Sequence, residues 1–289
     1  MKLRQLKKQL KQRELQARRR KPRRWPWLLL FVALLLAVFY PLYRQYQLTV
    51  PLRLFNEGMT LESRGELEAA QQRYQRLYHA YPESEQAVEA LLRVGRIQQY
   101  DRRLEQQALL SYLQLEHDFP EHPLVLAARE EAAGIVKYAL RDYSRAIGFY
   151  QRLLEHENGR RDQYLYEIAD CYFRLDNYTQ ARIELETLLK QYPQSSLIAE
   201  VLYRKGGLLL LENRLDAARQ DWLQLIAQFP ESSYGMQARF NLATLLEEDD
   251  LLQDALDAYQ QLQNFPRPDL LKEKIEHLKK RIASKQKAI

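Results

Sequence analysis

One recurring spacing constrains this chain more than any other feature. A small residue is followed by alanine twelve positions on, then by an aromatic or leucine four later, and often by proline eight after that. The sets are Gly58, Ala70, Tyr74 and Pro82; Gly134, Ala146 and Tyr150; Ala169, Ala181, Leu185 and Pro193; Gly206, Ala218, Trp222 and Pro230; Ala243, Ala255 and Tyr259, with Pro266 one residue early. A further set, Gly95 to Pro120, holds one extra residue, so Ala108 and Tyr112 are shifted by one. The starts lie 37, 39, 35, 37 and 37 residues apart. A period of this length marks stacked supersecondary units, none of which buries its apolar face alone. Each unit reads as two antiparallel helices that cross where the small residue and the alanine meet. The aromatic fills the gap to the next unit, and proline stops the second helix. Short turns such as Arg141-Asp142-Tyr143 and Asp176-Asn177-Tyr178 join the helices. The second helices carry apolar residues at helical spacing, as in Tyr150, Leu153 and Leu154. The fold class is all-α.

The pattern resembles the tetratricopeptide repeat family, whose signature runs W-x2-L-G-x2-Y, then A-x3-F, then P. Asn241-Leu242-Ala243, Tyr172, Asp142-Tyr143 and Tyr150-Gln151-Arg152 match it in different repeats, although the family's tryptophan position is never tryptophan here. The resemblance covers about residues 51–267 and implies a right-handed α-solenoid of about six helix pairs. It also implies that the first helices line a concave peptide-holding groove. On that register the groove positions are Phe55, Arg96, Gln99, Glu131 and Tyr138 in repeats 1–3. In repeats 4–6 they are Tyr166, Asp170, Phe173, Tyr203, Phe240, Thr244 and Glu247. Aromatics at these positions also serve a repeat's own packing. The endings Tyr81-Pro82-Glu83-Ser84, Tyr192-Pro193-Gln194-Ser195 and Phe229-Pro230-Glu231-Ser232 are similar to those of periplasmic repeat proteins of bacterial envelopes. Residues 268–289 differ: Leu270, Leu271, Ile275, Leu278 and Ile282 make one apolar stripe on a helix that caps the array.

Charge is distributed unevenly. Of 44 Lys and Arg, twelve fall in residues 1–24, which hold one acid, Glu14. The remaining 32 bases face 37 acids, so the body is mildly acidic and nucleic acid is not an expected partner. After this basic arm, Trp25 to Tyr43 carry no charge. As a helix these residues span about 28 Å, close to the roughly 30 Å hydrocarbon core of a bilayer. Arg23, Arg24, Trp25, Trp27, Tyr40 and Tyr43 sit at the two ends as interface anchors, and Pro26 and Pro41 also fall near the ends. A signal-peptidase site is poor, since Val38-Phe39-Tyr40-Pro41 follows Ala37, and the one cysteine, Cys171, is far from a lipoprotein position. The expected organisation is a cytoplasmic arm (1–24), a transmembrane helix (25–43), a short linker (44–50), the repeats (51–267) and the cap (268–289). The positive-inside rule sends the body across the inner membrane, into the periplasm of a Gram-negative bacterium.

Signals of chemistry are absent or weak. The Gly206-Gly207 pair sits inside a helix, where close packing explains it, and no Gly-x-Ser-x-Gly elbow occurs. His117 and His122 are five residues apart across Phe119-Pro120, not a metal-helix spacing. The acidic run Glu247-Glu248-Asp249-Asp250 lacks the alternation and glycine of a calcium loop and reads as a solvated turn. Cys171 reads as packed. No cofactor, metal or catalytic residue is expected. The sequence therefore points to a membrane-anchored scaffold for protein–protein interactions, and the resemblance extends this to envelope biogenesis, outer-membrane assembly or secretion-linked chaperoning. The alternative is a cytosol-facing receptor for targeting peptides.

Overall fold

In a computed structural model, residues 2–18, 25–156, 159–262 and 265–287 are described. Among them are fourteen α-helices and no strand. The fold divides into two compact units, Met1–Val94 and Gly95–Ile289.

The first unit begins with α1 (Lys2–Arg18) and a long α2 (Trp25–Ser63). Helix α2 runs unbroken through Pro41 and Pro51. Residues 44–50, expected as a linker, are therefore helical, and Pro41 lies in a helix interior rather than at an end. The apolar part of α2 leaves Leu28, Phe31, Leu34, Leu36 and Phe39 about 60% exposed, and Tyr40 and Tyr43 are exposed as well. By length and composition this is the one helix among the described residues fit to cross a membrane. Arg23 and Arg24 lie outside the described residues, as do the side chains of Trp25 and Trp27. The C-terminal part of α2 pairs with α3 (Leu67–Ala80), and α4 (Glu85–Arg96) follows. At the crossing of α2 and α3, a Cβ on Gly58 would stand 2.5 Å from the Tyr74 ring, so only glycine lets the helices meet. Phe55 packs with its centroid 5.7 Å from that ring, and the Arg93 guanidinium lies over the Phe55 ring, 5.6 Å from its centroid.

The second unit continues with α5 (Glu105–Asp118), α6 (Leu124–Gly134), α7 (Tyr143–Leu154), α8 (Arg161–Arg174), α9 (Tyr178–Gln191) and α10 (Ile198–Leu211). It ends with α11 (Leu215–Gln228), α12 (Ser233–Glu248), α13 (Leu252–Gln260) and α14 (Pro268–Lys287). The repeat alanines Ala70, Ala108, Ala146, Ala181, Ala218 and Ala255 are all fully buried, as are Tyr74, Trp222 and Tyr259. Residues Tyr81, Phe119, Tyr192 and Phe229 leave helical geometry immediately before a proline, as the ring of that proline requires.

The irregular spacing has a local cause. Residues Ile97–Asp101 and Ile135–Ala139 form single π-turns, each absorbing one extra residue in a first helix. The second π-turn corrects the register of the third repeat. Nothing lies within 4 Å of a Cβ built on Gly134, whereas Ala133 is fully buried. Ala133 stands seventeen residues before Tyr150, just as Gly95 stands seventeen before Tyr112. With Ala133 as the start, the intervals become 37, 38, 36, 37 and 37.

Each first helix ends on one residue of left-handed backbone: Gly65, Arg103, Arg141, Asp176, Asn213 and Asp250. The following amide then reaches back to a carbonyl of the last helical turn, as Glu66 N–H does to Leu61 at 2.9 Å and Arg214 N–H to Leu209 at 2.8 Å. Asp142 and Asn177 cap α7 and α9 by accepting from the backbone amides of Arg145 and Gln180.

Helix α14 takes the place of a seventh first helix. Leu278 is fully buried, and Leu271, Ile275 and Ile282 pack on the cluster around Ala243, Tyr259 and Phe265. The acidic run is not simply a solvated turn. Glu247, 8% exposed, accepts from Lys274 and Arg281 at 3.0 Å each, Asp249 pairs with Arg219, and Asp250 with Lys285.

Candidate functional site

The second unit contains a cleft of about 590 Å³ on the first helices α8, α10 and α12. Its existence follows from the repeat geometry. Three parallel first helices stand side by side, and the small residues Ala169 and Gly207 leave space that larger side chains would fill. Tyr166, Phe173, Tyr203 and Tyr234 supply aromatic walls, and Leu208, Leu210 and Leu211 add aliphatic surface. The Tyr203 and Tyr234 rings lie 5.8 Å apart. Trp222 locks the floor by donating its indole N–H to the Tyr203 carbonyl at 3.1 Å.

A charged network underlies the walls. Lys137, 3% exposed, bonds Asp170 at 2.7 Å and Glu167 more closely. Arg204 donates to Asp170 at 2.9 Å and to Glu200 at 3.1 Å, with its guanidinium 4.9 Å over the Tyr166 ring. The Tyr166 hydroxyl donates to Glu200. Burial tends to raise the Asp170 carboxyl, but hydrogen bonds from Lys137 and Arg204 outweigh it and hold the group below the usual range. Glu200 is likewise held low: burial opposes ionisation, while bonds from Tyr166, Tyr234 and Arg204 prevail. Burial works against the Lys137 charge, yet its bonds to Asp170 and Glu167 keep its pKa raised. Burial, with help from Glu200, pushes Tyr234 up to about 12. At neutral pH Asp170, Glu200, Lys137 and Arg204 are therefore ionised; with Glu167 on Lys137 and Arg174 3.9 Å from Asp170, three carboxylates face three cations, and Tyr166 and Tyr234 stay neutral. The cleft thus offers apolar and aromatic surface with hydrogen-bonding edges rather than net charge. Asn241, half-buried in the lining, brings both an amide donor and an acceptor. Such a surface suits a peptide with apolar side chains and an unsatisfied backbone.

Of the expected groove positions, the cleft gathers Tyr166, Asp170, Phe173 and Tyr203. The others are committed elsewhere. Arg96 pairs with Glu131 at 3.4 Å, and Gln99 accepts from the Tyr112 hydroxyl at 2.8 Å. The Tyr138 hydroxyl donates to Glu167 at 2.8 Å. At the far end Phe240 stacks on Phe265, with centroids 4.7 Å apart, and Thr244 bonds the Tyr259 hydroxyl at 2.9 Å. With Glu247 held by α14, these three belong to the packing of the cap.

Sequence register missed Glu200, Arg204, Leu211, Tyr234 and Asn241. A signal for some of them was present. Tyr166 and Glu200, Asp170 and Arg204, and Glu247 and Arg281 are each 34 residues apart, complementary groups one turn short of a full repeat. Of the histidines considered as ligands, His117 pairs with Asp118, and His122 accepts from the Leu124 amide at 3.2 Å. No group of three or more potential ligands that could hold a metal ion occurs among the described residues. Cys171 is fully buried, which pushes its thiol up to about 11.

Residues 54–84, 137–204 and 185–234 each match a tetratricopeptide repeat family. No curated protein matches the chain significantly. Among solved structures, a tetratricopeptide repeat protein from Parabacteroides merdae aligns with a TM-score of 0.51 at 16% identity, covering 79% of this chain and 98% of that one. Pseudomonas aeruginosa pilF aligns with a TM-score of 0.50 at 16% identity, covering 78% of this chain and 96% of that one. At such identity these two similarities speak for the fold alone. The matching segments, 54–84 and 137–234, are thus tetratricopeptide repeats, and the other helix pairs, with their small-residue crossings, follow the same plan.

Proposed function

We propose that this chain is a membrane-anchored scaffold whose cleft on α8, α10 and α12 holds an apolar, extended stretch of a partner protein. Tetratricopeptide repeats indicate a protein–protein interaction scaffold. The observation that carries the finer reading is the charge-balanced aromatic cleft, whose walls include Phe173, 40% exposed, and Leu211, 56% exposed. Apolar surface of this kind, concave and rimmed by polar groups, is the usual mark of a binding site. Anchoring rests on the apolar stretch of α2, which none of the described residues buries. The twelve bases before it, against Arg44 and Arg53 soon after, favour a cytoplasmic arm and a body on the periplasmic side of the inner membrane. A role in envelope biogenesis or secretion-linked chaperoning fits that placement. The competing reading keeps the body in the cytosol as a receptor for targeting peptides.

Two measurements test this. A photocrosslinking residue at Phe173 or Leu211 should capture partner polypeptide in intact cells, while one at Leu223, 57% exposed on the second helix α11, should not. Equal capture from both faces, or none from the cleft, refutes the cleft assignment. Alkaline phosphatase fused after residue 289 should be active in intact bacteria; inactivity would select the cytosol-facing alternative.

A further inference from the structure

The first unit holds a second hollow, far more polar than the cleft. It measures about 310 Å³ and is lined by Tyr46, Arg53, Glu57, Arg73, Arg76 and Tyr81, with apolar residues behind them. The sequence separates these residues into two groups, 46–57 and 73–81. The α2–α3 hairpin brings them together, because α3 runs back alongside α2 and ends at Ala80, level with Tyr46. The Tyr46 and Tyr81 hydroxyls hydrogen-bond each other. Glu57 is the one carboxylate in the lining, 3.7 Å from Arg53 and 3.6 Å from Arg73. Three guanidiniums against one carboxylate leave the hollow positive.

Its position is fixed by the same helix that carries the apolar span. Tyr46 lies three residues past Tyr43, about 4.5 Å along an unbroken helix. The headgroup layer outside the hydrocarbon is about 5–8 Å deep. Arg53 lies about 15 Å along, with a side chain long enough to reach back. Arginine forks match the oxygens of a phosphate, and tyrosine hydroxyls are at home at the interface.

From this we infer that the hollow between the start of the body and the end of α3 binds the phosphate of an anionic phospholipid headgroup, seating the first helix pair on the membrane surface. The inference rests on the anchored reading of α2. A bound headgroup would hold the body close to the bilayer and restrict how the rigid helix tilts.

The test uses the full chain in detergent, titrated with dioctanoyl phosphatidylglycerol, dioctanoyl phosphatidylcholine and inorganic phosphate, with bound lipid read by native mass spectrometry. The phosphatidylglycerol is expected to bind best. Arg53→Gln with Arg76→Gln should weaken it about thirtyfold, since each basic residue at an anionic surface contributes roughly a fivefold factor. Both side chains are exposed, and unchanged circular dichroism checks that the fold persists. Arg53→Lys with Arg76→Lys should restore part of the loss, because charge returns without the fork. Lys279→Gln with Lys280→Gln on α14 removes equal charge elsewhere and should change nothing. All variants keep the basic arm, so its own attraction cancels. Unaltered affinity in the Arg53/Arg76 variant overturns the inference, as does inorganic phosphate displacing the lipid at matching concentration. Flotation with vesicles judges the anchor separately: a chain that fails to float refutes the span, while the titration still rules on the hollow.

Discussion

The adjacent glycines of α10 should respond oppositely to the same substitution. A Cβ on Gly206 would lie 2.4 Å from Trp222 Nε1 and 2.8 Å from two ring carbons. The indole is fully buried and tied to the Tyr203 carbonyl, so it has little room to yield. Overpacking of this kind costs about 3 kcal/mol, while alanine regains about 1 kcal/mol of helix propensity. Gly206→Ala should therefore destabilise by about 2 kcal/mol, lowering the melting temperature by roughly 4–8 °C. At Gly207 nothing lies within 4 Å of the added carbon, so Gly207→Ala should stabilise by about 0.5–1 kcal/mol. A cycle isolates the cause. Repeat 4 uses Ala169 and Leu185 where repeat 5 uses Gly206 and Trp222. In a Trp222→Leu background the clash is gone, and Gly206→Ala should turn from a loss of about 2 kcal/mol into a gain of about 1 kcal/mol. Thermal unfolding of the full chain in detergent, followed by circular dichroism, reads all four variants. Equal shifts at 206 and 207, or an unchanged Gly206→Ala effect beside leucine, would refute the packing argument.

Other outcomes follow from the same geometry. Arg141→Gly and Asn213→Gly replace left-handed residues and should each raise stability by up to about 1 kcal/mol, read by the same melts. Asp170→Ala strips the buried Lys137 of one of its two carboxylates and should cost about 3 kcal/mol. Because the Asp170 carboxyl is held below its ordinary value of 3.8, its contribution is complete above that value and fades as pH falls through the folded one. Lys137 is raised above 10.5, so its contribution is complete below that value and fades as pH rises through the folded one. A pH series of melts should show both losses in the native chain, the acid-side loss shrinking in Asp170→Ala. Glu247→Gln weakens the hold of Lys274 and Arg281, and amide exchange should rise selectively in α14.

Much of this architecture was legible from residue types alone. The positions of Gly58, Ala70 and Tyr74, and their counterparts downstream, state helix pairs directly, because close helix approach admits only small residues and the remaining volume demands large ones. An uncharged apolar run after twelve bases states a candidate span for a similar reason: its length and solvation leave few other uses. Residue spacing could not say that one extra residue in each of two first helices is stored as a π-turn. Glycine at 134 looked like the small partner of Tyr150, but that turn rotates it away and presents Ala133. Nor could spacing distinguish aromatics that wall a cleft from those that fill a core. Tyr203 and Phe240 occupy equivalent positions, 37 residues apart, yet Phe240 is covered by Phe265 beneath the final helix. What surrounds a side chain depends on neighbours from other elements, and only the folded chain brings Arg76 to Arg53, Arg204 to Asp170 and α14 to Glu247.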